Sequence, residues 1–169
     1  MIIDTIYVII FIISVAGLIY IYTNYNKNNV EKISFRETLD LTNLPIITLV
    51  NNDMKLNFLI DTGSTSSHIN KILVDNNVLD FTTVIPSEDK QTIVVGMEGN
   101  DRKVNKVNMS LQINNTSNKY NEEFLVNDLS APFSVIKSET GATLHGILGV
   151  SFFDKYKYII DFKKLVVYR

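Results

Sequence analysis

The chain has 169 residues, a formal charge of -2, no cysteine and two histidines, His68 and His145. That length leaves room for one membrane segment and one small domain. Disulfides, thiolate metal sites and three-histidine zinc chemistry are excluded, and with no basic stripe nucleic acid is not an expected partner.

Taken in chain order, residues 5–22 (TIYVIIFIISVAGLIYIY) carry no charge. As a helix they would cross a hydrocarbon core of roughly 30 Å, with Tyr20, Tyr22 and Tyr25 as an interfacial belt. The opening Met1-Ile2-Ile3-Asp4 lacks the basic leader of a signal peptide, so the expectation is an uncleaved, single-pass transmembrane helix. Lys27, Lys32 and Arg36 follow the segment while Asp4 precedes it, which by the positive-inside rule puts the remainder on the cytoplasmic side by a small margin. Residues 24–29 (NYNKNN) read as a short tether. The expected division is an anchor with tether over 1–29 and a folded domain over 30–169.

From Val30 the periodicity turns to that of strands: 33–39 (ISFRETL), 44–50 (LPIITLV) and 55–60 (KLNFLI), the last two joined by an Asn51-Asn52-Asp53 turn. Ser67 is expected to cap a short helix carrying Ile69, Ile72 and Leu73 and ending near Asn77. QTIVV and RKVNKVNMSLQI flank Gly96-Met97-Glu98-Gly99-Asn100 as a hairpin with a glycine on each side of its tip. KYNEEFLV and FSVI read as further strands, residues 146–156 (GILGVSFFDKY) as a short helix after a glycine turn, and YKYIIDF with LVVYR as a closing hairpin around Lys163-Lys164. The expected fold is a small, mostly β closed barrel with one or two short helices, preceded by the transmembrane helix.

The stretch that carries chemistry is NFLIDTGSTSSHI, Asn57 to Ile69. Asp61 would end a buried strand, where a carboxylate needs hydrogen bonds or a partner. Gly63 permits close backbone approach, and Thr62 and Ser64 supply hydroxyl donors. The plainer alternative is an Asx turn. Asp101, Asp154 and Asp161 read as structural or solvated charges, and His68 and His145 as exposed residues outside the chemistry.

Residues 30–169 resemble a retropepsin-type aspartic protease domain, similar to the single-lobed bacterial members of that family and more distantly to retroviral proteases. The resemblance rests on Leu59-Ile60-Asp61-Thr62-Gly63-Ser64 as the active-site motif and on Gly96-Met97-Glu98-Gly99 at the position of the flap. Ile147-Leu148-Gly149 stands where the family has the partner of the active-site loop, and Tyr158-Ile159-Ile160-Asp161-Phe162 where it has the final hairpin. It implies a polypeptide substrate, no cofactor and no metal. It also implies a homodimer, because each Asp-Thr-Gly loop is half a site: two facing carboxylates share a proton, so that one activates water while the other polarises the scissile carbonyl. The competing expectation is a catalytically silent module that keeps the groove and binds a peptide or protein at the membrane.

Overall fold

The structure is a computed structural model that describes residues 13–21, 31–84, 93–95, 101–103, 105–113 and 118–169. Residues 13–21 are helical (α1). No helix among the described residues is long and apolar enough to cross a membrane, and the rest of the 5–22 span lies outside them.

The centre of the fold is a hairpin of β2 (Ile46–Asn51) and β3 (Met54–Ile60), with Asn52 in the left-handed region at the turn (φ 53°). Alternation along the pair sends Ile47, Leu49, Leu56, Phe58 and Ile60 inward. β10 (Gly146–Leu148) runs parallel to β3 and antiparallel to β4 (Ser67–Asn70). β4 runs parallel to β9 (Lys119–Asn127), which forms a long antiparallel ladder with β8 (Lys106–Ile113). Pairing of Leu49 with Ile113 and Val50 with Gln112 returns β8 to β2, so six strands close on themselves, and β5 (Phe81–Val84) extends β8 outside the ring. Closure pairs β2 with β8 at the seam and leaves β5 as the edge strand of this sheet. Buried Asn51 reinforces the seam: its amide donates to the Asp80 and Ser110 carbonyls and its oxygen accepts from Asp80 N–H. The fold is therefore mostly β and closed, as expected.

Phe58 stacks on Phe124 inside the barrel (centroids 5.5 Å apart), and Tyr120, Phe152, Tyr156 and Tyr158 form an aromatic cluster at one end. Beside that cluster lies a three-stranded sheet of β1 (Lys32–Ser34), β12 (Val166–Tyr168) and β11 (Ile159–Asp161). The hairpin β11–β12 is the closing hairpin read from the sequence. The strands β6 (Ile93–Val95) and β7 (Asp101–Lys103) also pair as expected, while their tip, including Gly96, Met97, Glu98 and Gly99, lies outside the described residues.

Helices depart from expectation. Among the described residues from 31 onward there are four rather than one or two: α2 (Arg36–Thr42), α3 (Lys71–Asp75), α4 (Ser130–Thr140) and α5 (Val150–Lys155). The strand expected over 33–39 stops at Ser34. Phe35 and Leu39 fit either period, and Leu39 N–H donates to Phe35 O as the chain turns into α2, which ends on left-handed Asn43. FSVI is helical because Phe133 and Ile136, one turn apart, pack on Ile46 and Leu144 while Val135 points to solvent. Ser67 caps no helix. Ser67 and Ile69, two apart, both face inward on β4, and α3 begins only at Lys71.

Candidate active site

Asp61 leaves β3 one residue past the Ile60–Leu148 register pair, and its N–H donates to Leu148 O at 3.1 Å. The residue is half-buried; its Oδ1 accepts Gly63 N–H at 2.9 Å, and Asp61 O accepts Ser64 N–H at 3.3 Å. The Asx turn of the plainer reading is thus present. Among the described residues it leaves Oδ2 without a hydrogen bond, so the turn orients the carboxylate and does not consume it. Thr62 and Gly63 are exposed at the tip of the loop.

The loop is stitched to the start of α5. Ser64 O accepts Val150 N–H (2.9 Å) and Thr65 O accepts Ser151 N–H (3.0 Å). These two donors would otherwise be unsatisfied at a helix N-terminus, and α5 has no side-chain cap. Gly149 sits in the crossing with ordinary extended backbone (φ -85°, ψ 176°). Space is what requires glycine there: a Cβ would lie 2.3 Å from Ser66 O and 2.8 Å from Ser64 O. Leu148 is fully buried in the core, and half-buried Ile147 pairs with Leu59 on one side and His68 on the other. Ile147, Leu148 and Gly149 are thereby brought against the Asp61–Ser64 segment.

Beneath the loop, Ser67 Oγ donates to Glu122 Oε1 (3.2 Å), and Gly149 N–H approaches Ser67 Oγ (3.4 Å). Glu122 is 3% exposed and its other oxygen pairs with Lys155 Nζ at 3.1 Å. Burial pushes the Glu122 carboxyl up, against the hydrogen bond and charge of Lys155.

Both histidines, read from the sequence as exposed, are half-buried and hydrogen-bonded. His145 donates its N–H to Asn57 O and accepts Asn57 N–H at Nδ1, both at 2.9 Å, which fixes the turn before Gly146 to β3. His68 lies between Ser64 Oγ (3.1 Å from Nε2) and Asn127 Nδ2 (2.6 Å from Nδ1). Burial lowers the pKa of each imidazole. The available signal for His68 was its place on the strand after the loop, with Ser64 four residues back; the helix expected there concealed it.

Asp161 accepts the N–H groups of Lys163 and Lys164 and pairs with Lys164 Nζ, the work of a hairpin turn. Asp154 pairs with Lys157. Among the described residues no group of three His, Asp or Glu side chains could hold a metal ion. A depression of 640 Å³ is lined by Glu31, Tyr156, Ile159 and Arg169 with their neighbours, not by Asp61.

No protein-family model matches the chain, and no curated protein matches it. Among solved structures it is similar to a retropepsin-like aspartic protease from Rickettsia conorii, at 18% identity and TM-score 0.48 over 83% of this chain and 90% of that one. It is also similar to EIAV protease in complex with an inhibitor, at 19% identity and TM-score 0.43 over 68% of this chain and 88% of the other. At that level of likeness the chemistry of the site rests on its own residues.

Proposed function

We propose that the chain is an aspartic endopeptidase of the retropepsin type, with a catalytic domain over residues 30–169, held at a membrane by residues 5–22. The observation that carries this reading is Asp61: a half-buried residue directly after β3 of a closed barrel, one carboxylate oxygen pinned by Gly63 N–H, in a loop locked by Val150, Ser151 and Gly149. A group so oriented suits proton transfer. Thr62, Gly63 and Ser64 support the loop, Ile147 to Gly149 hold it from behind, and in this reading Gly96, Met97, Glu98 and Gly99 serve as the flap toward an extended polypeptide substrate.

One chain supplies one such carboxylate, so the active species is a homodimer with an Asp61 from each subunit on a two-fold axis. With one Asp charged and its partner protonated, the first takes a proton from water as the water attacks the scissile carbonyl, and the second donates to the carbonyl oxygen. Confinement to a bilayer raises the effective concentration of partners and compensates a weak interface. The distribution of Lys27, Lys32 and Arg36 favours a cytoplasmic domain.

The lone carboxylate and its Asx turn favour a second reading, a silent module that binds peptide or protein at the membrane without cleaving it. Turnover of an unbiased peptide library by the purified full chain from acid to neutral pH, wild type beside Asp61→Asn, separates the two. Cleavage abolished in a folded Asp61→Asn protein, and blocked in wild type by a transition-state mimic, is expected; a folded dimer that cleaves nothing would leave the binding module.

A further inference from the structure

Three hydrogen bonds around His68 fix each proton in a chain that ends at the Asp61 loop. The Ser64 hydroxyl donates to Ser66 O at 2.8 Å, so its single hydrogen is spent. His68 Nε2, 3.1 Å from Ser64 Oγ, must therefore donate to it, and Nε2 carries the proton. Nδ1 then holds a lone pair, and the Asn127 amide donates into it at 2.6 Å. A second proton on the ring would set Nδ1–H against the Asn127 N–H and break this order.

We propose that His68 is a positioning residue for Asp61: as neutral imidazole with Nε2–H, buttressed by Asn127, it holds Ser64 and hence the loop that presents the carboxylate. The inference rests on the reading of Asp61 as the catalytic acid. It adds to that reading a second ionisable group in each subunit, beside Asp61, whose protonation shuts the reaction down.

The surroundings of His68 favour the neutral form. β4 places Leu125 of β9 and Ile147 of β10 opposite it, both apolar. Asp61 is the carboxylate whose field acts on the ring, and burial outweighs it. Glu122 bonds to Ser67, on the other face of β4. Asp128 is exposed beyond Asn127, and Lys71 is paired with Asp75.

The test uses the full chain in detergent micelles and joins two readouts. Long-range nitrogen–proton NMR of the imidazole reports the tautomer without reference to activity. Nε2–H with a bare Nδ1 is expected in wild type and equally in Asp61→Asn. In Asn127→Asp the donor becomes an acceptor, so the ring is expected to take up Nδ1–H and titrate at higher pH. In peptide hydrolysis, His68→Phe is expected to lower kcat by on the order of tenfold to a hundredfold with KM little changed, and His68→Gln, which restores a donor near Nε2, to recover part of it. Asn127→Asp is expected to move the acid limb of kcat upward. An Nδ1–H ring in wild type overturns the proposed arrangement. So does a folded His68→Phe protein with unaltered kcat and acid limb while Asp61→Asn is dead. A wild type that cleaves nothing while showing the expected tautomer overturns the protease reading and the catalytic part of this one together, leaving His68 as a structural residue of the loop.

Discussion

Two glycines show that the same residue is retained for different physical reasons. At Gly149 the backbone is ordinary, but a Cβ would overlap backbone atoms of Ser64 and Ser66, which cannot swing aside as a side-chain tip can. Gly149→Ala is expected to destabilise the fold by about 2 kcal/mol or more through overpacking, and to displace the Asp61 loop. At Gly141 space is open but φ is 77°, so Gly141→Ala is expected to cost only about 1 kcal/mol of backbone strain and to leave the site alone. Urea unfolding of both variants checks the order, and equal losses would contradict it. Asp61→Asn, in contrast, keeps the side-chain oxygen that accepts Gly63 N–H. It is expected to remove turnover with little change in the unfolding midpoint.

Among the elements, the most exacting junction is that of β1 with β12, and it turns on Glu31. Its carboxylate, in a side chain 7% exposed, accepts from Tyr158 OH, Tyr120 OH, Asn118 Nδ2 and Arg169 Nε, while Arg169 N–H donates to Glu31 O. Burial opposes the charge, but these four donors outweigh it and hold the carboxyl below its ordinary value. The Tyr120 hydroxyl is pushed up to about 12 by burial and the same carboxylate. Glu31→Ala is expected to cost about 3 kcal/mol, because Arg169 loses its partner and the tyrosines lose their acceptor. It should also open residues at the edge of β1 to limited proteolysis before the barrel unfolds; an unchanged digestion pattern would contradict that. α5 is the second such junction, since its first two N–H groups are satisfied by the Asp61 loop rather than by a cap, coupling helix and site.

For the whole molecule, the ionisable groups give opposite pH dependences. His68 and His145 titrate below their ordinary 6.5 in the folded state, so the fold binds fewer protons there than the unfolded chain. Their contribution is fully present above about pH 6.5 and is lost as pH falls through the folded values. Glu31 adds stability above its ordinary 4.5 that disappears below it, whereas Glu122, raised by burial, is relieved of its charge as pH falls and works in the other direction. The unfolding free energy is expected to decline between about pH 7 and pH 5, with a shallower slope in His145→Gln. An equal slope in that variant would remove His145 from the account. Assembly is a separate matter: sedimentation of the detergent-solubilised chain is expected to show a dimer, sharpened by a transition-state mimic. A strict monomer that still cleaves peptide would contradict a site shared between subunits.

The amino-acid sequence by itself determined what depends on short-range order. The alternating strands β2 and β3 and their Asn-rich turn, the β11–β12 hairpin and the acid-Thr-Gly loop at the end of β3 are local patterns, legible because strand period and turn chemistry repeat within a few residues. Tertiary structure decided the rest. FSVI became helix once Phe133 and Ile136 met Ile46 and Leu144. Three residues from Gly146 to Leu148 became a strand only because β3 and β4 offered hydrogen bonds on both sides. His68 acquired its partners when β4 was laid beside β9, bringing Asn127 within 2.6 Å across 59 residues of chain. A side chain's period can announce which face it takes, but the partner on that face comes from a distant segment and is chosen by the packing of the whole barrel.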